Sequence, residues 1–328
     1  MANLTTTYLG LQLKNPLVAA SSGLTSSVKK IKKLADAGIG AIVLKSIFEE
    51  QINNEVSHLL NKGAGNAYPE AEDYISGYLR NNSVAQHLAL LENAKKTVDL
   101  PIIASINCVS SAEWTGFAKD FENAGADAIE LNLFYLPSDR HETPGELEQL
   151  YVDVLTKVKQ EVSIPVSIKF GIHHSNIICM ADKLKAAGAA GVVMFNRFYE
   201  PDIDLNTLKL ISSEVFSSPG DLRRTLRWTG IVSSKVPQLD IAASTGIHNG
   251  KAVIKQLLAG AQVTQLCSTL YINGLKIIPA ILNELQAFME KWNFNSINDF
   301  RGRLSYNTIP DSMMYERSQF MKYFSQRK

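Results

Sequence analysis

The chain has 328 residues, of which 45% are hydrophobic and 20% are charged, and its formal net charge is +1. This composition is typical of a globular protein. Because one α/β barrel accommodates a chain of this length, we predict a single domain over residues 1–328. The balanced charge contains no basic or acidic block, which disfavours partners such as nucleic acid or an anionic membrane surface.

The cysteines are few, since only Cys108, Cys179 and Cys267 occur, far apart in the sequence. Their odd number and wide spacing favour neither a disulfide framework nor a zinc cluster. The N-terminal segment shows no basic region followed by an apolar one, and no apolar run is long enough to span a membrane. We therefore expect a cytoplasmic protein with no metal site.

Eight short apolar runs alternate with longer amphipathic segments along the chain. The runs begin at Leu17, Gly40, Pro101, Asp127, Pro165, Gly191, Asp240 and Val263. Nearly continuous apolar strands alternating with helices are typical of a buried parallel sheet. Four of the predicted helices end in Ala-Gly, at Gly38, Gly125, Gly188 and Gly260, and glycine is the usual left-handed helix stop. The pattern predicts a (β/α)8 barrel.

The alternative architecture is an open doubly wound sheet, which usually carries a glycine-rich turn after its first strand. This chain reads Ser-Ser-Gly-Leu-Thr-Ser at residues 21–26, without that turn. Residues 1–16 predict a hairpin that turns at Gly10 and covers the amino end of the barrel. Residues 47–81 and 197–238 form long connections after the second and sixth strands, where we expect lids or small subdomains.

Polar residues stand at the end of every predicted strand, where barrel enzymes place their active sites. They are Ser21, Ser22, Lys45, Ser46, Asn107, Asn132, Lys169, Asn196, Thr245, Gly246 and Ser268. For any one of these residues, exposure to water at a strand end explains the polarity as well as a binding role does. The set as a whole favours an anionic or electron-rich planar ligand. Amide side chains both donate and accept, which suits a heterocycle, and a lysine stabilises negative charge that develops on such a ring.

The last two strands end in Ser244-Thr245-Gly246 and Cys267-Ser268-Thr269. A phosphate site after these two strands is common in barrels. Gly246 allows a close backbone approach, and backbone N–H groups together with the hydroxyls of Thr245 and Ser268 would bind the anion. We predict a phosphate site at this position.

The order of these motifs resembles the soluble class of flavin-dependent dihydroorotate dehydrogenases, from about residue 5 to residue 305. The resemblance rests on Asn15-Pro16, Ser21-Ser22-Gly23, Val43-Leu44-Lys45-Ser46, Glu130-Leu131-Asn132-Leu133, Ser167-Ile168-Lys169, Phe195-Asn196, Thr245-Gly246-Ile247 and Gln265-Leu266-Cys267-Ser268-Thr269-Leu270. It implies an FMN flavoprotein of pyrimidine biosynthesis that oxidises dihydroorotate or a similar dihydro-heterocycle by proton abstraction and hydride transfer to flavin N5.

The resemblance also assigns roles to single residues. Contacts to the flavin ring or the substrate fall to Ser22, Lys45, Ser46, Asn132 and Lys169, further substrate contacts to Asn66 and Asn196, and the FMN phosphate to Thr245, Gly246 and Ser268. Lys169 is also a catalytic candidate, because it would stabilise the reduced flavin. We expect a homodimer with a small heterocyclic substrate; the electron acceptor is left open.

Two departures from the family pattern concern the chemistry. The family's base is a Cys or Ser in a motif like Asn-Leu-Ser-Cys-Pro-Asn, where this chain reads Asn-Leu-Phe-Tyr-Leu-Pro at residues 132–137. Without a gap, Tyr135 takes the position of the base; with one inserted residue, the base has no successor. A tyrosine with an ordinary pKa near 10 is a poor base. The family's substrate-binding loop reads like Asn-x-x-Gly-x-x-Asn. This chain reads Asn-Ala-Tyr-Pro-Glu-Ala-Glu at residues 66–72, so only Asn66 matches that loop.

Three functions therefore stay open: oxidation of dihydroorotate, oxidation of a different heterocycle, and flavin binding without this turnover. His173-His174 has no carboxylate or cysteine at ligand spacing, which disfavours a metal pair. The basic cluster of Arg223, Arg224 and Arg227 has three alternative interpretations: contact with an anionic substrate, contact with a neighbouring subunit, or a solvated helix face. We favour the solvated helix face.

Overall fold

The computed structural model describes residues 2–48, 69–107, 113–133, 135–197 and 200–316. Eight parallel strands close into a barrel, because each pairs with the next and the eighth pairs with the first. In chain order they are Leu17–Ala19, Ala41–Val43, Ile102–Asn107, Ala128–Asn132, Val166–Phe170, Gly191–Met194, Asp240–Ser244 and Val263–Leu266. The predicted (β/α)8 fold and its eight strands are confirmed. A short ninth strand, Ile47–Phe48, extends the pairing of the third.

Helices surround the barrel. Within the described ranges they are Val28–Asp36, Pro69–Thr97, Glu113–Asn123, Pro144–Glu161, Ile177–Ala186, Leu222–Lys235, Gly250–Ala259, Ser268–Asn273, Ile277–Lys291 and Met313–Glu316. The predicted Ala-Gly stops are confirmed; Gly260, for example, ends its helix with φ +116°. Their apolar faces and the strands form one continuous core between the two layers.

The predicted hairpin at the amino end is also confirmed, since Thr6–Tyr8 pairs antiparallel with Leu11–Leu13. Tyr8, Leu9 and Leu13 are buried against inward-facing apolar residues of seven barrel strands. The hairpin therefore closes the amino end of the barrel. Burial raises the pKa of Tyr8 well above its ordinary value, and the nearby Glu130 acts in the same direction.

The two long connections contain more regular structure than their sequences predict. The helix Pro69–Thr97 begins inside the first. The second holds a hairpin, Pro201–Asp204 with Lys209–Ser212, and the helix Leu222–Lys235. The helix carries Arg223, Arg224 and Arg227, for which the sequence favoured a solvated helix face, and all three are exposed on it. An added Cβ at Gly230 would lie 2.4 Å from the Tyr315 ring, so the helix packs closely against the C-terminal segment.

A carboxylate joins the helix Glu113–Asn123 to the start of the fifth strand. Glu122 Oε1 accepts hydrogen bonds from Ser163 N at 2.7 Å, Ser163 Oγ at 2.6 Å and Ile164 N at 3.2 Å, while Oε2 pairs with Lys119 at 2.8 Å. Lys119 and these donors lower the pKa of Glu122 from 4.5 to about 2.

We predict that Glu122→Gln lowers the free energy of unfolding by about 1 kcal/mol at pH 7, because the charged acceptor is lost. The folded protein binds the proton near pH 2 and the unfolded chain near pH 4.5. The stabilisation is therefore full above pH 4.5 and declines as the pH falls toward 2.

Urea unfolding of both proteins at pH 7 and pH 3 measures this. The difference in the free energy of unfolding between wild type and Glu122→Gln should be smaller at pH 3 than at pH 7. Asp120→Asn, on an exposed position of the same helix, should show no such gap at either pH. An equal gap at the two pH values would contradict the assignment.

Candidate active site

A cavity of about 160 Å³ opens at the carboxyl end of the barrel. Its lining includes six of the strand-end residues singled out in the sequence: Ser21, Lys169, Asn196, Thr245, Gly246 and Ser268. These residues come from the first, fifth, sixth, seventh and eighth strand ends. The structure thus brings together groups that lie up to 247 residues apart in the chain.

A chain of serine hydroxyls crosses the first three strands beside this cavity. Ser46 Oγ lies 2.9 Å from Ser21 Oγ and 2.7 Å from Ser105 Oγ, and Ser46 N donates to Ser21 Oγ at 2.9 Å. Ser46 is only 2% exposed, so its hydroxyl mainly ties strands together. The adjacent Lys45 is half-buried, and within the described ranges its ammonium makes no ion pair.

Two amide side chains meet at the ends of the fourth and sixth strands. Asn196 Nδ2 donates to Asn132 Oδ1 at 2.8 Å. Among the described residues, the Asn132 nitrogen and the Asn196 oxygen have no further partner. The pair therefore presents one donor and one acceptor, which is the arrangement that a ring with alternating carbonyl and N–H groups requires.

Three buried polar side chains lie in the barrel interior beneath the cavity, and we call Glu130, Lys169 and Gln265 the interior cluster. Lys169 Nζ lies 3.4 Å from Gln265 Oε1 and 3.7 Å from Glu130 Oε1. Gln265 Nε2 donates to Glu130 Oε2 at 2.5 Å. Glu130 and Gln265 were not among the predicted site residues, although each interrupts an apolar strand at an inward position.

The predicted phosphate turn adopts a left-handed backbone, with φ +75° at Thr245 and +80° at Gly246. The Thr245 hydroxyl donates to Phe195 O at 3.0 Å, so its hydrogen is already engaged. Gly246 N donates to Ser217 Oγ at 3.3 Å, and Ser217 N donates to Ser268 Oγ at 3.0 Å. Ser217, which was not among the predicted site residues, therefore lies between the two predicted anion-binding groups.

Gly246 is required by packing as well as by its backbone angle. A Cβ there would lie 2.2 Å from Leu222 N and 2.7 Å from Leu222 Cα. The start of the helix Leu222–Lys235 thus packs directly on the turn. Any side chain at residue 246 would displace this helix, so Ser268 is the better position for testing the phosphate site.

Two titratable groups flank the turn. His248 Nε2 lies 3.1 Å from Ser217 Oγ, and burial lowers the pKa of His248. Burial also raises the pKa of the Cys267 thiol, against the opposite influence of Lys169. At neutral pH the histidine is therefore mainly uncharged and the thiol mainly protonated. Neither places a negative charge beside the predicted phosphate.

Tyr135 lines a second cavity, of about 150 Å³, together with Glu142, Tyr151 and His174. Its hydroxyl donates a short hydrogen bond to Glu142 Oε1, and this bond is the largest cause of the raised pKa of Tyr135. A phenol held in this way keeps its proton at neutral pH. The described geometry therefore gives Tyr135 a structural contact and no feature that activates it as a base.

The remaining candidates fall in different places. Ser22 begins a short helical turn, where its Oγ accepts from Leu24 N at 3.2 Å. Asn66 lies outside the described residues. His174 packs edge-on against Tyr151 and Phe170, each with ring centroids 5.3 Å away.

The three arginine candidates lie on the surface of the protein. Arg223, Arg224 and Arg227 are exposed, and Arg224 lines a small cavity beside Asn196. In the described ranges, no three His, Cys, Asp or Glu side chains converge as metal ligands. No helix described here combines the length and apolar character that crossing a membrane demands.

Comparison with known proteins identifies the family. The family model described as dihydroorotate dehydrogenase matches residues 3–289. The chain is 27% identical to the catalytic subunit of dihydroorotate dehydrogenase B (NAD(+)) of Thermoplasma volcanium, over 92% of this chain and 98% of the relative. It is 28% identical to the corresponding subunit of Methanocaldococcus jannaschii, over 88% of this chain and 94% of the relative.

A differently named relative matches equally well. Dihydroorotate dehydrogenase A (fumarate) of Limosilactobacillus reuteri is 28% identical, over 88% of this chain and 94% of the relative. The family-model match includes all eight barrel strands and all residues that line the cavity. The chain therefore belongs to the dihydroorotate dehydrogenase family, whose members are flavoprotein oxidoreductases acting on CH–CH groups.

Proposed function

We propose that the protein is an FMN-dependent oxidoreductase that oxidises dihydroorotate or a similar dihydro-heterocycle. One observation carries the proposal: Lys169, the Asn132–Asn196 amide pair and the left-handed Thr245-Gly246 turn lie at one mouth of a barrel of this family. Family members are generally FMN-binding, which supports the same cofactor here.

The donor set at the cavity fits FMN. Ser268 Oγ accepts from Ser217 N and keeps its own hydrogen for the phosphate, and Gly246 N would exchange its 3.3 Å hydrogen bond to Ser217 Oγ for one to the phosphate. Lys169 would lie against the ring, because its ammonium reaches the cavity from the barrel interior. When bound, FMN supplies a hydride acceptor at its N5 atom.

The chain's own residues would then bind and orient the substrate. The free donor of Asn132 and the free acceptor of Asn196 would bind adjacent carbonyl and N–H groups of the ring. Lys169 would oppose negative charge that develops during the reaction. Lys45 would add a second positive charge at the mouth. We keep Asn66 as a proposed substrate contact and Ser22 and Ser46 as proposed ring contacts.

Oxidation of a different heterocycle is a specific second candidate. It is favoured by the loop after the fourth strand, because Tyr135 stands where the family's base is expected and its proton is held by Glu142. A substrate whose proton leaves more readily, or leaves to solvent, needs no strong base at this position. We leave the electron acceptor open, because the names of the relatives include both NAD(+) and fumarate. A single domain and a homodimer stay predictions.

We predict that the purified protein binds FMN and that anaerobic dihydroorotate bleaches the visible flavin absorbance. The measurement is a spectrum before and after addition, following reconstitution with FMN. A flavin spectrum that persists would favour the second candidate or flavin binding without this turnover. A protein that cannot be loaded with FMN would remove the flavin-based function altogether.

The phosphate site gives a second expectation. Ser268→Ala should weaken FMN binding about tenfold or more, because a hydrogen bond to a charged group contributes about 1.5–3 kcal/mol. Fluorescence titration of the apoprotein with FMN measures this. Ser305→Ala, a buried serine remote from the cavity, serves as the matched control. Unchanged FMN affinity in Ser268→Ala would place the phosphate elsewhere.

Tyr135→Phe should change the rate of flavin reduction by less than about twofold, whereas losing a general base costs about a hundredfold or more. Stopped-flow reduction by an active substrate across pH 6 to 10 tests this. Tyr306→Phe provides the control, because Tyr306 donates the same kind of hydrogen bond to Glu316 away from the cavity. A large loss confined to Tyr135→Phe, together with loss of a pH dependence, would make Tyr135 the base.

A further inference from the structure

The interior cluster places a carboxylate directly beneath the cationic group of the site. Glu130 is 1% exposed, Gln265 2% and Lys169 7%, so water screens their interactions little. Glu130 belongs to the fourth strand, Lys169 to the fifth and Gln265 to the eighth. Three separate strands are therefore needed to assemble the group.

The contacts of the carboxylate are incomplete. Glu130 Oε2 accepts from Gln265 Nε2, but Glu130 Oε1 has no hydrogen-bond partner and lies 3.7 Å from Lys169 Nζ. A buried carboxylate without full hydrogen bonding is costly unless an opposite charge compensates it. In the described interior, Lys169 is the cation that does so.

The lysine is correspondingly shared. Its contacts within the cluster, at 3.4 and 3.7 Å, are longer than strong charged hydrogen bonds, which measure about 2.7–2.9 Å. Because an ammonium carries three N–H donors, the group keeps donor capacity toward the cavity that it lines. The positive charge offered to a ligand there is opposed by Glu130 from below.

We propose that Glu130 is a positioning residue that holds Lys169 at the barrel mouth and sets the reduction potential of the bound flavin. The inference rests on the proposed function, because it requires FMN against Lys169. Reduced flavin carries more negative charge than oxidised flavin, so an unopposed ammonium favours the reduced form. By partly neutralising Lys169, Glu130 keeps the potential lower than the lysine alone would set it.

Gln265 completes the arrangement and allows the charge to be moved. Its amide oxygen faces Lys169 and its amide nitrogen faces Glu130, so it links both partners. Glu130→Gln keeps the size of the side chain and removes the negative charge. Adding Gln265→Glu to that variant returns one carboxylate to the cluster without creating a buried carboxylate pair, which would share a proton. Damage to the barrel would persist in the double variant, whereas charge predicts that the potential returns toward the wild-type value.

The test is the midpoint potential of FMN bound to wild type, to Glu130→Gln and to the double variant Glu130→Gln/Gln265→Glu, measured by anaerobic reduction against a dye of known potential. We expect Glu130→Gln to favour reduced flavin about tenfold, which raises a two-electron potential by about 30 mV. The double variant should return the potential toward the wild-type value. Ser167→Ala, an uncharged and fully buried position two residues before Lys169, should leave it unchanged.

A lowered or unchanged potential in Glu130→Gln, or a double variant whose potential stays as high as that of Glu130→Gln, would overturn the inference. If Glu130→Gln does not fold, Glu130→Met is measured instead: a raised potential supports the inference, and a lowered or unchanged potential overturns it. The measurement needs no substrate. Failure of dihydroorotate to react therefore leaves it valid, whereas a wild-type chain that cannot bind FMN overturns both this inference and the proposed function.

Discussion

Parallel closure of the eight strands is the constraint on which the rest of the structure depends. Because the strands run in the same direction, all their carboxyl ends open at one mouth, and because side chains alternate, every second residue points into one shared interior. Asn132, Lys169 and Gln265 reach the same place for this reason alone. A charged side chain in such an interior needs an opposite charge on a neighbouring strand. Glu130 and Lys169 form such a pair, with Lys169 Nζ 3.7 Å from Glu130 Oε1.

The features that could be predicted from the sequence are those that local physics determines. Each barrel strand is an apolar run, and left-handed glycines such as Gly260 end their helices wherever the chain must turn back. The bounds of the helix Leu222–Lys235 were not predicted, although its arginines indicated a helix face. Its residue Gly230 packs against Tyr315 of the C-terminal segment, and such a distant contact leaves no local signal.

The candidate site divides in the same way. Strand-end residues such as Lys169 and Thr245 could be selected because the barrel architecture says where ligands bind. Ser217 could not, since its contact with Gly246 depends on the path of the segment between the hairpin and the helix Leu222–Lys235. For Tyr135, an alignment supplies a position in the chain, but the direction of the side chain depends on Glu142, seven residues later.

The hairpin at the amino end also constrains the order in which the molecule folds. Its Thr6 hydroxyl donates to Gln262 O at 3.1 Å, and Leu9 N donates to Asp240 Oδ2 at 2.7 Å. These contacts span 256 and 231 residues of chain, so they form only after the last two strands have been synthesised. Until then the apolar residues of the hairpin and the barrel interior are both exposed to water. Closure of the amino end of the barrel therefore belongs to the late steps of folding.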